Sequence, residues 1–511
     1  FIAMWYDVED DFANAEISLT LDKQFRNVDA VSMRDTWQGQ QELFTGFRTQ
    51  QANVSHNDAG SGGFALDAFG ERWVTGLGKE NYDLPNYWDQ QTQKGVRWTY
   101  YARRPEANNC VVINPDGDVG QIVSARPEID TFITKERGSI AISDLTSAYA
   151  DDAKSYTRAV TLFNDRKAYK VQDEIVMHKP SEVYWFMNIN SKDITISEDG
   201  KSVIAKKNGK MLHTAINANA DFEITVMNSE PLPTSPNPDG QTNFRETRKI
   251  AVHFKDVSDL NITAVLTPIL SEIEISGEEP EFIPIKDWKI PDGELQRIML
   301  DSITANGKEI DGFNPYNRFY EITSESPVKD LNIEGVSSQY DCKTVYNAGN
   351  TADVIVSRKD NPEDFAVYRI LVKAEAKSVI DFDKVTEVPI VSVEATDNDG
   401  NIPENAIDGN LASRWSAAGE PSIIFDLGSK QKLNAIGIAF YSGSKRKAYF
   451  EIYTSNDGVE WTYLKECESS GESEEFEYQT LDGVECRYVK YSGYGTNQDS
   501  WNSIRDVKIY K

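Results

Sequence analysis

Hydrophobic positions along the chain fall in short β-branched and aromatic runs, such as Tyr156-Thr-Arg-Ala-Val-Thr-Leu-Phe and Ala168-Tyr-Lys-Val-Gln-Asp-Glu-Ile-Val. Turn dipeptides such as Asp199-Gly, Asn208-Gly and Asp239-Gly separate them, and that alternation is the signature of strands. Helical periodicity is scarce. The pattern predicts an all-β chain of successive β-sandwiches rather than an α/β enzyme. It breaks first at residues 276–292, acidic and carrying three prolines, which cannot donate in a sheet interior. A linker is expected there, after a first domain at 1–275. Residues 293–376 then open on a strand, an Asn306-Gly307 hairpin signal and a second strand, and close on Ala366-Val-Tyr-Arg-Ile-Leu-Val. A charged, loosely patterned stretch leads into a last module at 385–511.

Length agrees with this division, since 511 residues exceed what one domain usually holds. The 39% apolar and 11% aromatic content is that of a folded, sheet-rich chain. No run of 18 apolar residues occurs, and Phe1-Ile-Ala-Met-Trp-Tyr is too short for a span or a signal. Starting at Phe rather than Met, the chain reads as a processed or truncated piece of something longer. A net charge of −29 argues against nucleic acid and anionic membrane as partners. The four cysteines, Cys110, Cys342, Cys467 and Cys486, have no CxxC spacing and so offer neither a zinc ribbon nor a dithiol redox pair. Cys467 and Cys486 lie in one module and either pair or stay as buried thiols, the second being favoured.

The 293–376 segment resembles the small immunoglobulin-like or cadherin-like spacers of bacterial surface and secreted enzymes, which usually carry no chemistry. The last module carries five ordered motifs: Glu404-Asn-Ala-Ile-Asp-Gly-Asn-Leu-Ala-Ser-Arg-Trp-Ser-Ala, Ile423-Ile-Phe-Asp-Leu-Gly, Phe450-Glu-Ile-Tyr-Thr-Ser-Asn-Asp-Gly-Val-Glu-Trp, Arg487-Tyr-Val-Lys-Tyr and Asn502-Ser-Ile-Arg-Asp-Val-Lys-Ile-Tyr. This succession resembles the discoidin (coagulation factor 5/8 type C) family, in its bacterial carbohydrate-binding form, and implies a β-sandwich jelly roll. The resemblance also implies a structural calcium held by Asp408, Ser413 and Asp506 with backbone oxygens, a donor set of the hard oxygens calcium takes. Ser413 and Asp506 stand where the family most often has Thr and Glu. The alternative is that Asp408-Gly409 is simply a turn. Sugar recognition is expected at a loop rim formed by Tyr441, Arg446, Tyr494, Asn497 and Trp501, with Trp501 foremost. Trp415 and Trp461 lie inside framework motifs and are expected in the core.

The N-terminal part carries Met33-Arg-Asp-Thr-Trp, His56-Asn-Asp-Ala-Gly-Ser-Gly-Gly-Phe, Asn81-Tyr-Asp-Leu-Pro-Asn-Tyr-Trp, Arg97-Trp-Thr-Tyr-Tyr-Ala-Arg-Arg-Pro-Glu-Ala-Asn-Asn-Cys and Val171-Gln-Asp-Glu. From about residue 20 to 275 it resembles the β-sandwich of heparinase II/III-like polysaccharide lyases, in which an α/α-toroid precedes the sandwich. Here the toroid is read as absent, apart from a possible last turn at 2–7. Such enzymes cleave uronic-acid polysaccharides by β-elimination, and the resemblance implies His56 as a catalytic residue contributed by the sandwich. It also implies a metal site. Two of its three ligand positions hold no suitable donor, since Gly76 replaces an aspartate and Asn108 a histidine, and Gly60 also stands where the motif usually has an aspartate, so no zinc is expected. Arg34, Arg48, Arg72, Arg97, Arg103 and Arg104 surround His56 in sequence, either steering a uronate or paired with the abundant carboxylates. His178, His213 and His253 are read as packing or surface residues.

Two functions are thus expected. One is the glycan-binding C-terminal portion of a secreted or cell-surface polysaccharide lyase, with a polysaccharide and the missing toroid as partners. The alternative is a non-catalytic glycan-binding or scaffold protein with a degenerate lyase sandwich.

Overall fold

The structure is a computed structural model and describes residues 19–511, except 79, 278, 325, 375–379 and 381–383. The expected turn at 2–7 lies outside the described residues. As expected the chain is all-β: among the described residues the helical segments are 3-10 turns of three or four residues. It divides into two compact units, 1–375 and 376–511.

The first unit is built on two 22-residue strands, Ala168–Ile189 and Arg248–Ile269. They pair antiparallel from Tyr169↔Leu266 to Ile189↔Arg248, with register shifts between Val176 and Val183. Such irregularities bend a strand and increase its twist, which lets strands this long serve both ends of the unit. The early half of Ala168–Ile189 pairs with Ala153–Phe163, and the late half with Val111–Ile113. Inward positions are filled by large apolar side chains, with Trp73, Trp185, Tyr156 and Tyr169 fully buried in one core.

At the centre of that core lies an ion pair. Arg158 Nε and Nη2 donate to the two oxygens of Asp173 at 2.7 and 2.8 Å, and both side chains are wholly buried. Asp173 also accepts from Tyr156 Oη and Trp185 Nε1. The remaining Arg158 Nη1 donates to the carbonyls of Gly62 and Asn109. A buried charge is tolerated only with its hydrogen bonds satisfied, and here the satisfying groups are two loops. This network therefore anchors the glycine-rich 60–63 turn and the 108–109 turn against the sandwich.

The 302–374 region has its own core around Ile303, Val354 and Tyr368, between a three-stranded and a four-stranded sheet. The Asn306-Gly307 signal is realised as a two-residue hairpin: Ala305 pairs with Lys308, and both turn residues have positive φ, 52° and 77°. Residues 276–300 have no strand among those described. The spacer is nonetheless fastened to the sandwich. Gln41 Nε2 donates to Phe319 O at 2.6 Å, Arg297 pairs with Asp35, Arg318 with Glu274, and Phe319 joins the sandwich core.

The second unit is an eight-stranded system in which Ser422–Phe440 pairs with Phe476–Thr496 on one side and Trp501–Tyr510 on the other. Its core packs Trp415, Phe425, Phe450 and Tyr491. Trp461, expected in the core, is instead half-buried, with the Lys490 ammonium 4.5 Å from its ring centroid. Cys467 and Cys486 are free, buried thiols, pushed up to about 11 by burial.

Candidate functional site

Two places in the chain collect chemically competent side chains, one in each unit. In the second unit, three segments converge on one edge. Strand Ser422–Phe440 ends just before Tyr441, whose backbone N–H donates to Ser503 O. Strand Trp415–Ala418 pairs with the first residues of Trp501–Tyr510, as Ala418↔Trp501. Arg414 and Arg505 are thereby brought to the same corner. The rings of Tyr441 and Trp501 are 36% and 39% exposed, large apolar surfaces presented to solvent at one edge.

Three guanidinium groups surround Tyr441, at 4.2 Å (Arg414), 5.4 Å (Arg505) and 5.8 Å (Arg446) from its ring centroid. Arg446 is held by Asp499 at 3.1 Å and Arg505 by Glu474 at 2.8 Å. Arg414 makes no direct ion pair among the described residues, although its charge reaches the Asp399 carboxylate, and its buried Nε has no hydrogen-bond partner. Asp499 also accepts from Thr496 Oγ1 and the Trp501 backbone N–H, so it sets the 496–501 turn and the Arg446 position together. Of the residues expected at the rim, Tyr441, Arg446, Asn497 and Trp501 lie on these two turns, and Asn497 locks them by exchanging hydrogen bonds with Lys447. The hydroxyl of Tyr494 turns instead to Glu451, which Tyr453 also contacts. Arg414 and Arg505 were not singled out from the sequence, because both sit inside framework motifs and become neighbours only through the 415–418 strand pairing.

At a separate place in this unit Asp408, Ser413 and Asp506 come together. Ser413 Oγ donates to Asp408 Oδ2 at 2.7 Å, and the Gly409 backbone N–H approaches Asp506. Asp506 is 4% exposed. Burial raises its carboxyl above the ordinary range, and the Asp408 charge adds to the rise.

In the first unit, His56 sits at a φ of 66° on an exposed turn, its Nδ1 3.2 Å from Tyr82 Oη. Gly60, Gly76 and Asn108, distant in sequence, are neighbours. A Cβ on Gly60 would lie 2.5 Å from Asp58 Oδ1, 2.9 Å from Arg48 Nη2 and 3.0 Å from Asn108 Cβ, and one on Gly76 would lie 3.0 Å from Asn108 Oδ1. The centre of this group is held by the Arg48 guanidinium, which donates to Asp58 at 2.7 Å and to Asn108 at 3.1 Å. Gly60→Asp should therefore destabilise the first unit by about 1–3 kcal/mol through overpacking. Urea denaturation followed by tryptophan fluorescence checks this, and an unchanged midpoint would contradict it.

The arginines around His56 divide into two groups. Arg34, Arg48, Arg72 and Arg104 each pair with a carboxylate, of Glu42, Asp58, Asp67 and Glu106 respectively. Arg97 and Arg103 make no direct ion pair among the described residues, although the Asp58 carboxylate acts on Arg97 through space.

Residues 389–507 match the family model of the F5/8 type C domain. The second unit belongs to that domain family, and the chain is a protein carrying an F5/8 type C domain. Among solved structures, it is similar to the CBM32 of AlyQ in complex with 4,5-unsaturated mannuronic acid, at 39% identity over 24% of this chain and 97% of that one, TM-score 0.24. A pectin-binding carbohydrate-binding module is 32% identical over 24% of this chain and 91% of that one, TM-score 0.24. Heparinase III is 13% identical over 68% of this chain, TM-score 0.39, and the chain spans 42% of its length. No curated protein matches the chain.

Proposed function

We propose that the chain binds an acidic glycan through the C-terminal rim, with a sugar face resting on Trp501 and Tyr441 and a sugar carboxylate received by the arginines around Tyr441. The observation that carries this reading is the cluster of Arg414, Arg446 and Arg505 about one exposed ring, with Arg414 in no direct ion pair among the described residues. Planar guanidinium forks match a carboxylate in two hydrogen bonds, and an exposed aromatic face suits the apolar side of a pyranose. In a chain of net charge −29 such a concentration of cations is local and does not follow from composition. Titration of the full chain with oligogalacturonate and with a neutral galactan oligosaccharide tests it: the uronate should bind and the neutral sugar should bind markedly more weakly. Equal affinity for the two would overturn the reading.

In the same proposal a calcium ion is held by Asp408 and Asp506 with Ser413 and backbone oxygens. The donors are hard oxygens, and the juxtaposed Asp408 and Asp506 carboxylates gain most from a divalent cation. Its role is structural, fixing the 408–413 turn against the last strand. Because the folded-state pKa of Asp506 is raised, its ionised form costs stability without a cation once the pH exceeds that value, and acidification relieves the cost. Calcium at about 100 times its Kd should then add about 2.7 kcal/mol, read as a rise of a few degrees in the melting transition of this unit at pH 7. The gain should shrink as the pH falls through the Asp506 pKa, since the proton competes with the metal. Calorimetry with calcium and with EDTA at pH 7 and pH 4.5 measures it, and a transition indifferent to both would remove the calcium.

The proposal further makes the chain the glycan-binding portion of a secreted polysaccharide lyase that acts on a uronic-acid polysaccharide, with His56 as the residue the sandwich contributes. It includes no zinc, because one carboxylate, one amide and a resident guanidinium are a poor zinc set. A toroid-containing protein that yields no unsaturated product, followed by absorbance on uronate polysaccharides, would leave glycan binding without turnover as the function.

A further inference from the structure

Between the first sandwich and the spacer lies a cavity of about 90 Å³, walled on one side by Leu43, Phe69 and Lys167 and on the other by Ile298, Met299 and Tyr316. A single water needs only about 10–15 Å³ of such space, so the cavity has room for a molecule of several non-hydrogen atoms.

The guanidinium groups at and around this cavity are each matched. Arg166 pairs with Asp22, Arg297 with Asp35, Arg318 with Glu274, Arg137 with Asp165 and Arg358 with Asp364. Lys167 is the cation left over: among the described residues its ammonium makes no direct ion pair and no hydrogen bond. The two carboxylates whose charge reaches it, Asp364 and Asp165, are those already held by Arg358 and Arg137, and Arg318 and Arg358 repel it. Burial pushes the ammonium below its ordinary range, so the cost of taking it out of water outweighs those attractions.

The backbone goes to some length to place this residue. The turn between strands Ala153–Phe163 and Ala168–Ile189 carries three consecutive non-glycine residues in the left-handed region, Asn164, Asp165 and Arg166, at φ of 53°, 54° and 62°. That conformation is unfavourable for residues with a Cβ and persists only where the surroundings over-determine it. Here Arg166 does so, donating from full burial to Asp22 and to the carbonyls of Arg34, Lys135 and Glu136. Lys167, next in the chain, is thereby fixed at the cavity wall.

We infer that the cavity binds a small organic monocarboxylate, whose carboxylate pairs with the Lys167 ammonium and whose short hydrocarbon part packs against Leu43, Phe69, Ile298 and Met299. One unmatched cation calls for one negative charge, and apolar walls gain from a hydrocarbon what inorganic phosphate or chloride does not supply. Arg318 offers a second donor: its Nε serves Val367 O and its Nη2 serves Glu274, which leaves Nη1. Because the walls come from both the sandwich and the spacer, occupancy ties the two together.

Titration calorimetry of the full chain, dialysed free of carboxylate buffers, with butyrate, inorganic phosphate and chloride tests this. Butyrate should bind saturably, and the inorganic anions about tenfold more weakly or less. Lys167→Met keeps the apolar stem and removes the charge, so it should lower butyrate affinity about tenfold or more. Without any probe the same variant should melt no earlier than the unaltered chain, since it has lost an unpaired, half-buried cation. Its titration with oligogalacturonate should be unchanged, which separates failure of this cavity from failure of the rim. Absence of saturable butyrate binding, equal binding of phosphate or chloride, or an earlier melt of the variant would overturn the inference. So would butyrate affinity unchanged in Lys167→Met, the result if the rim arginines capture the probe.

Discussion

Asp173→Ala should lower the stability of the first unit by about 3–5 kcal/mol, the cost of stranding a buried charge. The variant leaves Arg158 fully buried with two of its N–H groups unmatched, and it also strips partners from Tyr156 Oη and Trp185 Nε1. Urea denaturation of the first unit, followed by tryptophan fluorescence, reads the loss directly. A double change, Arg158→Met with Asp173→Leu, should recover part of it, since removing both charges is far less costly than removing one. A loss under about 1 kcal/mol in the single variant would mean that the pair is hydrated or otherwise compensated. Because Arg158 also holds the Gly62 and Asn109 carbonyls, the same variant should loosen the turns that carry Asp58 and Asn108.

The largest effect on binding is expected at the rim. Arg414→Ala removes the guanidinium nearest Tyr441 and the one in no direct ion pair, so it should cost the hydrogen bonds it makes to the sugar carboxylate, about 1.5–3 kcal/mol. That corresponds to a fall in affinity of roughly ten- to a hundredfold. Trp501→Ala should weaken binding comparably by removing the apolar face, while the half-exposed position of the ring leaves the melting transition nearly unchanged. Arg505→Ala should act less strongly, since Glu474 already neutralises that residue. Titration calorimetry with oligogalacturonate ranks the three, and equal affinity across them would move the binding surface away from this edge.

Local chemistry was legible in the sequence where a few adjacent residues decide the structure. Asn306-Gly307 forms the expected hairpin because both positions must take positive φ. The motif opening at Glu404 carries Trp415 into the core, while Tyr441 and Trp501, which lie between the motifs at strand ends, stay exposed. What depended on pairing between distant strands was not legible. Arg414 and Arg505 meet only because Trp415 pairs with Ile504. Arg97 and Arg103 resembled the other arginines near His56 in sequence, and only the fold shows that both lie over the Tyr87 ring rather than in direct ion pairs. Trp461 looked like a core residue, yet it lies beyond strand Ala448–Ser455, where Lys490 rather than the sheet interior covers it. The compact first unit likewise includes the spacer, because Phe319 enters the sandwich core and Gln41 clasps its strand, contacts between residues some 280 positions apart.

Affinity for an oligogalacturonate compared with the same oligosaccharide after its carboxyl groups are reduced to alcohols tests the central claim most directly. If the arginines around Tyr441 receive a sugar carboxylate, reduction should lower the affinity about tenfold or more, and the difference should narrow as salt is raised. Equal affinity for the acidic and the reduced oligosaccharide would contradict it.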